Sequence, residues 1–143
     1  MNDTESQLKS EDWLSLGIGL IIFFLAVGPL AGVDLLGWSA KLQIWLNPLQ
    51  MLAPMSKGYD ISGFTALILT YLFVLVLMSL SALVLRSNLK RFIIGFTLVF
   101  WISYLCSIIG HFAYVGATSD QFEKFGIGWS MNLTGEAGYI LAL

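Results

Sequence analysis

The chain has 143 residues, of which 57% are hydrophobic and only 11% charged, where soluble domains carry about a quarter charged residues. Mean hydropathy is +0.82 and the formal net charge is -2. This balance belongs to a membrane protein. The seven Lys and Arg are scattered apart from one short cluster, so there is no basic stripe and nucleic acid is set aside as a partner.

In chain order, Ser10 before Glu11, Asp12 and Trp13 reads as an N-cap with first-turn acids and an interfacial aromatic, which starts a helix near residue 11. Leu14 to Val33 then runs twenty residues without a charge. That length crosses a hydrocarbon core of about 30 Å at about 1.5 Å per residue. Its acidic flank and its length mark a retained anchor and not a cleaved signal peptide. Gly28 and Gly32 form a GxxxG pair suited to close helix approach, and Pro29 implies a kink.

Between the first two spans, Trp38, Leu42, Trp45, Leu49 and Leu52 recur at spacings of four, three, four and three. Ser39, Gln43, Asn47 and Gln50 avoid that stripe, and Asn47-Pro48 reads as an N-cap followed by a first helical position. The expectation is two short amphipathic helices, lying in the membrane interface or packed on the other spans. Ile61 to Leu85, twenty-five uncharged residues, is the second span, with Asp60 placed to cap it and Arg86 to meet its dipole. Arg86, Lys90 and Arg91 in "RSNLKR" set the topology: by the positive-inside rule this loop and the N-terminus are cytoplasmic.

Phe92 to Val115 is the third span, interrupted only by His111. Tyr104, Ser107, His111 and Tyr114 advance by three, four and three and so share one helical face, a polar membrane stripe. It reads as interhelical hydrogen bonding or as a path for a proton or ligand. Cys106, the single cysteine, is a small apolar-stretch residue with no internal disulfide partner. With one histidine in the chain, bis-histidine haem and histidine-rich metal sites are excluded within one subunit, and only Met78 or Met131 could pair with His111 on a haem. No metal or cofactor is expected. Ser119 and Asp120 with Glu123 resemble a capping pattern that starts a short turn. There is no nucleophile with a base, no phosphate-binding glycine loop and no HExxH, so catalysis is not expected.

The chain closes on "NLTGEAGYILAL". Seven apolar residues after Glu136 reach roughly 10 Å as a helix, a third of the core. They read as the start of a fourth helix that more chain or another protein completes, with Glu136 in its first turn. The expected architecture is therefore an all-α membrane protein forming a single membrane region over residues 1–143. Its spans lie at about 12–35, 61–85 and 92–115, its interfacial segment at 38–56 and its incomplete helix at about 135–143.

"SEDWLSLGIGLIIF" at residues 10–23 and "KFGIGWSMNLTGEAGYILAL" at 124–143 resemble the N-terminal region of the YeiH-type family of conserved integral membrane proteins, described as sulfate exporters. The resemblance implies a longer polytopic transporter, truncated here before most of its transport core, in the bacterial inner membrane. The function so implied is that of the N-terminal membrane region of a secondary transporter exporting an inorganic anion such as sulfate, and without that core the region is not expected to be active alone. Asn132, Thr134 and Glu136 are the candidate substrate-binding residues. The implied partners are the lipid bilayer and the remainder of the transporter core, or a partner membrane subunit. Two other readings stand beside it: a complete small accessory or interaction protein, and a haem or quinone redox subunit using His111.

Overall fold

A computed structural model of the chain describes residues 2–133 and 140, with side chains described from Asp12 onward. Helix α1 covers Asn2–Val27. It starts well before residue 11, so Ser10 lies inside the helix and does not cap it. Where continued helix was expected to residue 35, the chain instead tightens into a 3-10 turn, Gly28–Ala31, with Pro29 at its start. Gly32 follows at φ 80, its amide donating to Pro29 O at 3.0 Å while Val33 N donates to Gly28 O at 3.1 Å. A Cβ at Gly28 would sit 2.5 Å from Val33 O. The GxxxG pair thus ends the first helix instead of offering a helix-packing face: one glycine takes the left-handed conformation and the other makes room for the returning chain.

The segment expected as two helices is a β-hairpin. Strands β1, Ala40–Leu42, and β2, Leu52–Pro54, pair antiparallel with Leu42 opposite Leu52 and Ala40 opposite Pro54. Asn47 does cap a helical turn as its sequence suggests, but the turn is a single 3-10 unit, Pro48–Gln50, with the Asn47 side chain accepting from Leu49 N at 3.1 Å. Two prolines within seven residues deny a helix its backbone donors and crowd the turns before them. The apolar stripe accordingly splits. Trp38 packs on Phe73 of the second membrane helix, Leu42 and Leu52 face each other across the hairpin, and Leu49 is 89% exposed.

Helices α2, Gly63–Val84, and α3, Leu89–Gly110, are each 22 residues long, about 33 Å at the usual rise. Both suffice to cross a bilayer, as does the apolar stretch Asp12–Ala31. Their large side chains lie mostly on the surface, among them Phe24, Leu72, Val76, Leu98, Val99 and Ile102. So broad an apolar surface fits hydrocarbon, not water. Ser62, not Asp60, caps α2, its hydroxyl accepting from Thr65 N at 3.1 Å. The β-region backbone of Ser62 aims a short hydroxyl back at the first turn, which leaves Asp60 two residues too early. Asn88 caps α3 through Arg91 N at 3.2 Å.

Helices α2 and α3 form an antiparallel pair. Tyr71 is their aromatic hub, ringed by Phe96, Phe100 and Trp101, and its hydroxyl meets Thr97 Oγ1 at 2.8 Å. The middle of α1, at Trp13, Leu14 and Gly17, shares a crevice with Leu77, Ser81 and Val84 late in α2, while the C-terminal end of α1 leads into the hairpin. That puts the N-terminal side of α1 at the same end as residues 86–88. The hairpin gathers at the other end and is pinned there by Ala40 N donating to Thr70 Oγ1 at 2.8 Å.

The third membrane helix ends at Gly110, five residues short of the expected boundary, with His111 as its C-cap at φ -90 and ψ 4. The chain turns because Trp45 of the hairpin loop captures it. Trp45 N donates to His111 O at 3.1 Å and Ala113 N to Trp45 O at 2.9 Å, which satisfies groups that another helical turn would have used. Two four-residue helices follow, α4 at Ala113–Gly116 and α5 at Phe122–Phe125, joined by a 3-10 turn, Ser119–Gln121. That turn begins one residue earlier than its sequence suggests. Thr118 takes the N-cap position and its amide donates to Gln121 Oε1 at 3.4 Å. Ala113, Ala117 and Ile127 form a small core here against Ile44, Tyr114, Phe122 and Phe125.

Candidate functional site

The four residues of the polar stripe end up on two elements. Tyr104 and Ser107 lie on α3, His111 caps it, and Tyr114 belongs to α4. A stripe continuous by sequence spacing is therefore broken at Gly110. Ser107 Oγ bonds back to Ser103 O at 3.0 Å, which satisfies the hydroxyl inside its own helix. Ser107 O accepts His111 N at 3.1 Å and lies 2.8 Å from Nδ1 of the same ring. A carbonyl oxygen has no proton to give, so Nδ1 carries the hydrogen and Nε2 is left as an acceptor in the neutral ring.

Tyr104 stacks on Phe100 with ring centroids 5.8 Å apart, and its hydroxyl is buried without a hydrogen-bond partner among the described residues. Ser79 Oγ on α2 is in the same condition. A groove of about 310 Å³ runs beside Tyr104, lined by Val74, Val99, Phe100, Ser103 and Ser107. Ser103, which the four-residue spacing leaves out, is the residue this surface adds. Its adjacency to Tyr104, and not the i, i+3, i+4 pattern, is the signal that would have found it.

Tyr114 joins the aromatic shell around the end of α3, 5.6 Å from Phe112 and 5.5 Å from Trp129. Trp45 completes that shell, 5.1 Å from Phe112, with Nε1 donating to Ile108 O at 3.0 Å. The chain returns along this surface: Met131 N donates to Tyr114 O at 2.9 Å and Leu133 N to Val115 O at 3.0 Å. Asn132 lies between those bonds, exposed, at φ 55. Its amide donates to Ser130 Oγ at 3.1 Å. Thr134 and Glu136 lie outside the described residues, as does the expected helix at 135–143 apart from Ile140.

Arg86, Lys90 and Arg91 are exposed at the opposite end of the helices. Arg86 is in the left-handed region at φ 53 and completes the C-terminus of α2. Its amide donates to Leu83 O at 3.0 Å and Ser87 N donates to Ala82 O at 2.9 Å, the two bonds of a Schellman motif. Among the described residues no group of three or more His, Cys, Asp or Glu is arranged to hold a metal ion.

Compared with curated proteins, the chain is 32% identical over 148 aligned residues, its whole length, to a UPF0324 membrane protein of Nitrosomonas europaea. It spans 30% of that relative's own length. No family model matches the chain. No solved structure matches it either. The chain is thus similar over its whole length to part of a UPF0324 membrane protein, and three of its helices are long and apolar enough to cross a bilayer.

Proposed function

We propose that this region is part of the membrane scaffold of a secondary transporter that exports a small inorganic anion such as sulfate, and that it does not contain the ion path. The carrying observation is the whole-chain similarity to a membrane protein of which this sequence matches 30% of the length. The polarity of the three helices supports the same reading. Described hydroxyls on α2 and α3 are spent on structural bonds, as for Ser81 with Leu77 O, Thr97 with Ile93 O and Tyr71, and Thr70 with Ala66 O and Ala40 N, or have no partner among the described residues, as for Ser79 and Tyr104. No row of ionisable groups crosses the membrane segments, whereas intramembrane acids and bases commonly line ion pathways. Transporters also tend to bind their substrates near the midplane, between broken helices, and α2 and α3 are unbroken.

The test is efflux of radiolabelled sulfate from proteoliposomes, comparing residues 1–143 alone with the full-length Nitrosomonas relative. The expected result is flux above empty vesicles for the long protein and background for the short chain. Flux from the short chain would overturn the scaffold reading, and no anion flux from the long protein would overturn the transport reading.

A further inference from the structure

The end of the molecule away from the Arg86–Arg91 loop carries a recess of about 430 Å³ with a character unlike the apolar crevices between the helices. Three separate stretches of chain build it. The hairpin supplies Lys41, Gln43 and Ile44, the end of α3 supplies His111, and the 3-10 turn and α5 supply Gln121 and Lys124. Neither Asp120 nor Glu123, the acids nearest in sequence, lines it. Both lysines are exposed, and among the described residues neither forms an ion pair. The Lys124 ammonium lies 5.4 Å from the centre of the Phe125 ring, an aromatic contact that leaves its hydrogens available.

From this arrangement we infer that the recess binds a phosphate group, either the headgroup phosphate of an anionic lipid or the free ion. Two ammonium groups lining one recess match a tetrahedral oxyanion better than a single surface lysine does, because each can donate to a different oxygen. Gln121 adds a directed donor: its Oε1 is engaged by Thr118 N, so its NH2 is the end free to bond a ligand. His111 also lines the recess, its Nδ1 hydrogen committed to Ser107 O. The recess stands where α3 ends, beside Trp45, Tyr114 and Trp129. Such aromatics favour the headgroup layer, which places the lysines at the depth of lipid phosphates. The site is independent of the transport reading, since no step of it requires an ion to cross the membrane.

The experiment uses the full chain with Lys41 and Lys124 replaced singly and together by Gln, and with Lys57→Gln and Lys90→Gln as exposed lysines outside the recess. One arm measures by native mass spectrometry how much phosphatidylglycerol the protein retains over phosphatidylcholine from mixed nanodiscs. A second titrates inorganic phosphate and follows the unfolding temperature in detergent. The wild type is expected to bind in at least one arm, and the double variant to bind about tenfold more weakly or worse, with the controls unchanged. Loss in the first arm assigns a lipid headgroup, and loss confined to the second assigns the free ion. The inference is overturned if the wild type binds in neither arm, if the double variant binds as the wild type does, or if the control lysines weaken binding equally. The single variants and the unliganded unfolding temperatures separate loss of binding from loss of fold.

Discussion

Arg86 holds a conformation that costs an L-residue roughly 1–2 kcal/mol, yet it sits where the positive-inside rule wants a cation. Its backbone completes the Schellman bonds from Arg86 N to Leu83 O and Ser87 N to Ala82 O. The two demands come apart under substitution. Arg86→Gly should leave the unfolding temperature in detergent unchanged or raise it, because glycine meets φ 53 without strain. Arg86→Val should lower stability by about 1–2 kcal/mol, since a β-branched side chain is worst placed there. Two tyrosines make a similar contrast inside the helices. Tyr71→Phe gives up the 2.8 Å bond to Thr97 and is expected to cost about 0.6–2 kcal/mol. Tyr104→Phe removes a buried hydroxyl with no partner among the described residues and is expected to be neutral or stabilising by about 1 kcal/mol. Equal losses for the two variants, measured as unfolding free energies in the same detergent, would mean that Tyr104 makes a bond the described residues do not show.

At the scale of elements, the membrane helices were readable because hydrocarbon imposes a length and an apolar composition that few other structures share. The hairpin was hidden for the opposite reason. Trp38, Leu42, Trp45, Leu49 and Leu52 carry a helical period, while the interactions that fix the strands are remote in sequence: Ala40 with Thr70, and Trp45 with Ile108, His111 and Ala113. The same remoteness misplaced the end of α3, since nothing local to Gly110 announces that Trp45 will take over its hydrogen bonding. Of the candidate site, the cations of the loop were visible as a cluster. The recess lysines were not, because Lys41 and Lys124 come to line one recess only through the fold that brings the hairpin and α5 together. Gly63 tests how tightly the hairpin is seated. A Cβ there would overlap the Leu52 carbonyl of β2, so the first residue of α2 has to be nearly bare. Gly63→Ala should destabilise the protein by about 1–3 kcal/mol through this overpacking. The loss should appear together with faster amide exchange at Met55, whose N–H bonds Ser39 O at 2.8 Å, while exchange in the middle of α3 stays slow.

At the scale of the molecule, the distribution of charge at its two ends is what the positive-inside rule acts on. Arg86, just past α2, stands close in sequence to Lys90 and Arg91 in the first turn of α3, and the N-terminal side of α1 lies at that end. Lys41, Lys57 and Lys124 belong to the other end, spread over the hairpin, its exit and α5. Short loops respond to dense positive charge close to the helix ends, so the three-residue cluster should outweigh the dispersed lysines and hold residues 86–91 in the cytoplasm. Reporter fusions after Ser87 and after Gly58 measure this directly. The expected wild-type result is a cytoplasmic reporter at 87 and an external one at 58. Replacing Arg86, Lys90 and Arg91 together by Gln should leave Lys41, Lys57 and Lys124 as the larger bias and produce a mixed or inverted population. The lysines of the phosphate recess would then face the cytoplasm in the inverted fraction. Retention of the wild-type orientation by the triple variant would show that some other part of the protein, and not this cluster, determines how the three helices enter the membrane.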